Sequence, residues 1–246
     1  MDPWRAFLST IQFLTIMPWG PAQSFEARRA LPFFPLCGLL VGALLVAVDR
    51  LASWGWAQPV VALVDVIALA AISGALHLDG LSDTADGMYG RRTPEKALAI
   101  MKDSRVGAMG VVALTCCLGV KWAGLYAIEA HRVLWLVTIP AYARTTVLVG
   151  VKLLPYGRPD GGTGLAFFQT PLTPLDYWGA VLLLVLSLLT GWPGFLVVNL
   201  GFAILTGGIL LYYKSKIECI TGDMLGAMIE LTEAGLFLLI SIKGGL

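Results

Sequence analysis

Three carboxylates, Asp79, Asp83 and Asp86, stand at spacings of four and three in the stretch His77-Leu-Asp79-Gly80-Leu-Ser-Asp83-Thr-Ala-Asp86-Gly87. On a helix, where each residue turns by about 100°, they fall within roughly a 60° arc. Three anions on one stripe repel one another, and a cation among them would relieve that repulsion. A hard divalent ion such as Mg²⁺ suits carboxylate oxygens and leaves room for waters and phosphate oxygens. Such an array could hold Mg²⁺ against a phosphorylated substrate. The competing reading is a solvated acidic helix start, favoured by the positive end of the helix dipole.

Further clusters lie downstream. Lys102-Asp103-Ser104-Arg105 opens the next apolar run. Asp103 could be another metal ligand, and Lys102 or Arg105 a phosphate clamp, since arginine grips phosphate oxygens through a bidentate fork. Alternatively the segment is a helix start with snorkelling cations. Arg144 sits inside an apolar run, where a charge is costly and therefore a functional candidate. Its structural alternative is an ion pair with an intramembrane acid such as Asp65. The loop Arg158-Pro159-Asp160-Gly161-Gly162-Thr163-Gly164 could offer backbone N–H groups to a phosphate, although it has no Walker pattern. Asp223 and Glu230 share a helix face two turns apart, with Glu233 three residues beyond. Carboxylates in so apolar a segment need a counter-charge or a metal. Gly226, on the same side, leaves room for a ligand or a neighbouring helix. His77 lies roughly opposite the aspartate stripe and would join it only if the helix breaks near Gly80. Its role is open between hydrogen bonding and catalysis. Lys121 reads as a snorkelling cation or a partner of Glu129.

The elements that must position these groups are membrane helices. The chain has 246 residues, 57% of them hydrophobic and 13% charged, with a mean hydropathy of +0.79. A soluble domain carries nearly twice that charge fraction. The expected fold is all-α, a polytopic membrane helical bundle forming one integral-membrane catalytic domain over residues 1–246. About seven transmembrane helices are expected, at about 35–54, 59–76, 107–128, 133–153, two within 177–213, and 224–242. Trp192-Pro193-Gly194 breaks the long stretch 177–213 into a hairpin. A short amphipathic or re-entrant helix precedes them, and no cleavable signal peptide is evident. The net charge of +1 gives no argument for nucleic acid. Cys37, Cys116, Cys117 and Cys219 form no Cys-x-x-Cys and read as buried thiols. The eight tryptophans lie near span ends, as interfacial anchors do. Gly38 to Gly42 could pack helices within one subunit or between copies in a homo-oligomer.

With the N-terminus inside, Arg5, Arg28, Arg29, Arg91, Arg92, Lys96, Lys102, Arg105, Lys152, Arg158, Lys214 and Lys216 fall on the cytoplasmic side. Only Arg50, Arg132 and Lys243 fall outside. That asymmetry follows the positive-inside rule. It puts the aspartate motif, the Gly/Pro loop and the 214–223 loop on one face, open to a cytosolic substrate.

Three blocks in this order resemble the cobalamin synthase family, also called adenosylcobinamide-GDP ribazoletransferase. They are His77-x-Asp79-Gly80-Leu-x-Asp83-x-x-Asp86-Gly87, Ile100-Met-Lys-Asp103-Ser-Arg105-x-Gly107-x-x-Gly110, and Thr221-Gly222-Asp223-x-Leu-Gly226-Ala-x-Ile-Glu230-Leu-x-Glu233. The resemblance extends over nearly the whole chain. It implies a Mg²⁺-dependent enzyme of the bacterial or archaeal cytoplasmic membrane. Such an enzyme transfers the adenosylcobinamide-phosphate moiety from adenosylcobinamide-GDP to α-ribazole or its 5′-phosphate, releasing GMP. On that implication Asp79, Asp83 and Asp86 hold the metal, Asp86 or Asp103 is the general base, and Lys102 and Arg105 offset transition-state charge. His77, Arg144, Arg158, Asp223 and Glu230 contact substrate.

Two rivals remain at this stage. CDP-alcohol phosphotransferases also use membrane-embedded aspartates with Mg²⁺, but Asp86-Gly87 is followed here by Met-Tyr-Gly-Arg91 rather than an early Ala-Arg. A cation transporter could use Asp65, Glu230 and Glu233, but the acids gather at one face and no inverted repeat is apparent.

Overall fold

The computed structural model describes residues 2–21, 23–103, 105–158, 161–162 and 164–242. These residues form helices and no strand; a lone parallel bridge pairs Tyr156 with Ile220. In chain order the α-helices are α1 (Pro3–Leu14), α2 (Ala27–Ala30), α3 (Phe34–Ala52), α4 (Gln58–Ile72), α5 (Leu76–Met88) and α6 (Pro94–Ile100). They continue with α7 (Ala108–Ala127), α8 (Arg132–Leu153), α9 (Trp178–Ser187), α10 (Gly191–Ile217) and α11 (Gly222–Ile240).

The all-α membrane architecture is borne out. Four helical stretches are long and apolar enough to cross a bilayer, or five if α4 and α5 together make one broken span. The α11 helix is also 19 residues long. Its three carboxylates, Asp223, Glu230 and Glu233, keep its composition from reading as a plain span. The stretch from α9 to α10 doubles back. The Tyr142 hydroxyl lies 3.3 Å from the Leu183 carbonyl and 2.8 Å from Asn199 Oδ1, which a straight helix would hold about 24 Å apart. The turn falls at Leu188–Gly191, just before the Trp192-Pro193-Gly194 signal. Gly191, at φ +78°, supplies the left-handed turn, and Pro193 suits the first turn of α10.

The α3 and α8 helices pack closely. Gly38 and Gly42 meet the α8 backbone at Ala141 and Val137, with no room for a Cβ. These glycines therefore serve packing inside one chain, not contact between copies. Trp135 is fully buried in the core beside Leu45, Leu136 and Phe237, so it is not the interfacial anchor expected. Arg132 pairs with Asp49 at 2.6 Å and with Asp65 at 2.8 Å. Asp65 is thus bound to Arg132 and not to Arg144. All four cysteines are free, and Cys116 is exposed rather than buried. Lys243, expected on the outer side, lies outside the described residues.

Candidate active site

The α5 helix carries the aspartate stripe and is set by a break before it. After α4, Gly74 and Ala75 both take φ near +58°, and the chain turns through 89° into α5. The helix is continuous from Leu76 to Met88 and runs straight through Gly80. Asp79 is exposed, Asp83 and Asp86 are half-buried, and His77 is buried on the other face. The helix thus breaks upstream and not at Gly80; His77 projects off the stripe yet lines one cavity with Asp79 and Asp223. Gly80 is required by a close approach: a Cβ there would sit 2.6 Å from the Asp223 carbonyl oxygen. That contact locks α5 across the first turn of α11 and brings Asp223 beside the stripe.

Asp223 is positioned by its own helix start. The Thr221 side chain caps α11 by accepting from the Met224 N–H at 3.3 Å. A paired strip holds the preceding loop: Ile220 N–H donates to the Pro155 carbonyl, and Gly157 N–H to the Ile220 carbonyl, each at 2.9 Å. This strip carries Arg158 to Asp223, an ion pair at 2.8 Å. Tyr156 reaches back to the Gly161 carbonyl at 3.2 Å. Pro159, Asp160 and Thr163 of the glycine-rich loop lie outside the described residues.

The stripe divides by task. Both Asp86 oxygens accept from backbone, Oδ2 from Gly107 N–H at 2.7 Å and Oδ1 from Gly110 N–H at 2.9 Å. They occupy the start of α7 as an N-cap would. Arg92 also donates to the Asp86 carbonyl, at 2.5 Å. Asp86 is therefore held in place by the start of α7, whereas Asp79 and Asp83 are not held in this way. Asp79 and Asp83 make no side-chain hydrogen bond or ion pair among the described residues. Asp83 faces Asp79, Asp223 and Asp86 as like charges and Arg158 as the opposing one.

This donor set suits a divalent cation by its chemistry. Four carboxylates are met by one guanidinium, and two of the four have uncommitted oxygens. Among the described residues, however, no three His, Cys, Asp or Glu side chains converge into a ligand cage. Mg²⁺ is commonly held by one or two carboxylates together with substrate phosphates and waters, so the set fits it in that form.

Asp103, Lys102 and Arg105 are at the surface, with no hydrogen bond or ion pair to α5 among the described residues. Arg105 grips Asp103 through side-chain and backbone donors and holds its carboxyl down at about 2. A carboxyl held that low is a weaker proton acceptor near neutral pH than one at its ordinary value. Ser104, between them, lies outside the described residues.

Glu230 and Arg144 are placed elsewhere. Lys121 of α7 bonds Glu230 at 2.6 Å and Glu233 at 2.5 Å, and Arg144 pairs with Glu233 at 3.4 Å. All four side chains are enclosed. Two cations and two anions cancel between α7, α8 and α11. Arg144 and Glu230, expected to contact substrate, are engaged in this buried ion-pair network. Lys121 and Glu233 are the residues that sequence reasoning underused; a lysine within a span and two glutamates three apart in another require each other. Beside this network lies a cavity of about 80 Å³ lined by His77, Asp79, Asp223 and several apolar side chains.

Comparison with known proteins agrees with the resemblance of the three blocks. The family described as Cobalamin-5-phosphate synthase matches residues 6–241. A protein of Roseiflexus sp. (strain RS-1) named adenosylcobinamide-GDP ribazoletransferase is 36% identical over 94% of this chain and 87% of its own. Relatives of the same name are 35% identical in Alkaliphilus metalliredigens, over 98% of this chain and 97% of theirs, and 39% identical in Bradyrhizobium diazoefficiens, over 90% and 87%. No solved structure matches the chain. With its three motif blocks in order on α5, before α7 and on α11, and a match along almost its full length, this chain belongs to the cobalamin-5-phosphate synthase family.

Proposed function

We propose that this chain is a membrane phosphotransferase that completes the nucleotide loop of adenosylcobalamin. It joins the cobinamide phosphate of adenosylcobinamide-GDP to a ribose hydroxyl of α-ribazole, one that stays free in α-ribazole 5′-phosphate, with release of GMP. The observation that carries this reading beyond family membership is the pair of uncommitted carboxylates, Asp79 and Asp83, beside Arg158–Asp223. The acceptor oxygen forms a bond to the phosphorus nearest cobinamide, the bond from that phosphorus to the GMP oxygen breaks, and the hydroxyl proton is lost. Asp83 is the proton acceptor best supported, since its oxygens are free and Asp86's are not. Arg158 offsets charge on the pyrophosphate oxygens, and Asp223 orients Arg158. Mg²⁺ held by Asp79 with substrate phosphate oxygens and waters would neutralise the pyrophosphate and assist departure of GMP. The basic residues gathered at this end support a cytoplasmic membrane with the site facing the cytoplasm. Neither a lipid-synthesis nor a transport reading has an observation in its favour.

The test is GMP release by detergent-purified protein given adenosylcobinamide-GDP, α-ribazole and Mg²⁺. GMP together with a product of cobalamin mass, both lost on chelation, is the expected result. Product formation that persists without any divalent cation would remove the metal from the proposal.

A further inference from the structure

Away from the candidate site, a groove of about 460 Å³ opens between α7 and α10. Both helices pack on α11 and scarcely on each other, so the space between them is not closed. Met109, Val112 and Ala113 form one wall, and Gly208, Ile209 and Tyr212 the other. The floor is Leu231 of α11 with Leu81, Ala85 and Met88 of α5. Leu231 is 38% exposed there, while its neighbours Glu230 and Thr232 are enclosed. On α5 these floor residues stand on the side away from Asp79 and Asp83, since each residue turns by about 100°. The groove therefore backs the helix that carries the stripe.

The groove is about three times the roughly 150 Å³ that encloses one benzene ring, and its walls are apolar. It lies among membrane-spanning helices, where lipid tails reach it. Those tails are as apolar as the walls, so tail contact alone selects no particular lipid. Selection falls to one end of the groove. There Tyr89 and Tyr212 are exposed, as aromatic residues are at the headgroup level. Lys216 stands at the same end: its Nζ donates to the Gly90 carbonyl at 3.3 Å and lies 5.7 Å from the centre of the Tyr212 ring. The two segments that meet here, 88–92 and 212–217, carry Arg91, Arg92, Lys214 and Lys216 and no acid. Arg92 and Lys216 bond backbone carbonyls, and none of the four pairs with a carboxylate among the described residues. A basic rim over an apolar groove is complementary to a phosphate joined to acyl chains.

We propose that the groove between α7 and α10 is a binding site for one anionic phospholipid, with an acyl chain along Met88 and Leu231 and the phosphate at Lys216. The bound lipid also braces α5 from behind and so supports the transfer proposed above; that second effect rests on the transfer reading, and the binding does not.

Full-length protein in detergent, titrated with phosphatidylglycerol or with phosphatidylcholine of the same acyl chains, tests this by native mass spectrometry. One phosphatidylglycerol should be retained about tenfold more tightly than phosphatidylcholine, or better. Lys216→Gln should weaken its retention about fivefold, the share of one cation at an anionic headgroup. Gly208→Phe puts a ring into the groove from a position where an added Cβ meets no atom, and should abolish the tight site. Ala113→Phe fills the same space from α7 and takes over if G208F does not fold. Phosphatidylglycerol should raise the unfolding midpoint of the wild type and not that of the filled variant. Equal retention of the two lipids, retention unchanged on filling, or displacement of the lipid by inorganic phosphate would each overturn the proposal. In nanodiscs, GMP release by the wild type should be faster in phosphatidylglycerol than in phosphatidylcholine, and the filled variant should lose that difference. Equal wild-type rates would overturn the bracing of α5. If the wild type releases no GMP in either lipid, the transfer reading itself fails, and retention and midpoint still decide the groove.

Discussion

Asp86 and Gly107 are joined across the loop that links α5 to α7: the carboxylate of one accepts the backbone N–H of the other at 2.7 Å. The second Asp86 oxygen takes the Gly110 N–H at 2.9 Å, so one side chain caps a membrane helix from a different helix. Both glycines are needed for the approach, because a Cβ on either would strike the carboxylate. Asp86→Ala would leave two partly buried amides without acceptors. It should lower stability by about 1–2 kcal/mol, seen as a lower unfolding midpoint in detergent. Asp86→Asn, which keeps one acceptor, should fall between. A D86A midpoint equal to wild type would mean that the cap contributes nothing.

Asp83 should behave in the opposite way. Its oxygens bond nothing within the described protein, and it faces three like charges. Asp83→Asn removes repulsion without breaking a contact, so the unfolding midpoint should hold or rise. GMP release should fall by at least about a hundredfold, the range for loss of an acid–base group. Near-normal turnover in D83N would remove Asp83 from the chemistry.

Some of this was legible in the sequence and some was not, for physical reasons. The stripe of Asp79, Asp83 and Asp86 follows from helical periodicity alone, which is local. The turn after α4 is not legible, because Ala75 adopts φ +58° and alanine carries no signal for that conformation. The hairpin of α9 and α10 was placed to within a few residues by Pro193 and Gly194. The division of labour along the stripe was hidden, since only packing shows that Asp86 meets Gly107 while Asp83 does not. Arg144 was expected to need an acid, but Asp65 and Glu233 were equally available by type. The choice of Glu233 depends on which helices are neighbours.

Arg105 and Asp103 offer a test by pH. Hydrogen bonds from Arg105 hold Asp103 at about 2, so its charge is present above that pH and lost only below it. Arg105→Gln should return the carboxyl toward the ordinary value near 4. Any contribution of the Asp103 charge would then fade near pH 4 to 5 in the variant but persist in wild type. The ratio of kcat/KM, variant to wild type, should be the same at pH 7 and at pH 4.5, because no contact joins Asp103 to α5 among the described residues. A ratio that drops at the lower pH would place Asp103 in the reaction.

Gly80 tests the crossing that assembles the site. A methyl group there meets the Asp223 carbonyl at 2.6 Å, a backbone atom that cannot rotate away. Gly80→Ala must push α5 from α11, which separates the stripe from Asp223 and Arg158. Overpacking of this kind costs about 1–3 kcal/mol, and a displacement near 1 Å at reacting groups costs about a hundredfold in rate. The expected variant is therefore folded but nearly inactive. Gly90→Ala is the control for stability, since no atom crowds that position, although its φ of +74° carries its own modest strain.

Lys121 tests whether the buried charges are structural. It is the shared partner of Glu230 and Glu233, and Arg144 supplies the remaining positive charge. Lys121→Met leaves two enclosed carboxylates with one cation, and breaking such a pair from one side costs about 3–5 kcal/mol. Adding Glu230→Gln restores the balance of one cation to one anion between Arg144 and Glu233. The double variant should recover much of the lost unfolding midpoint. Glu230→Gln alone should be milder than Lys121→Met, because Lys121 keeps Glu233. If Glu230 bound substrate directly, the double variant would regain stability but not KM. A network that only holds α7, α8 and α11 together predicts recovery of both.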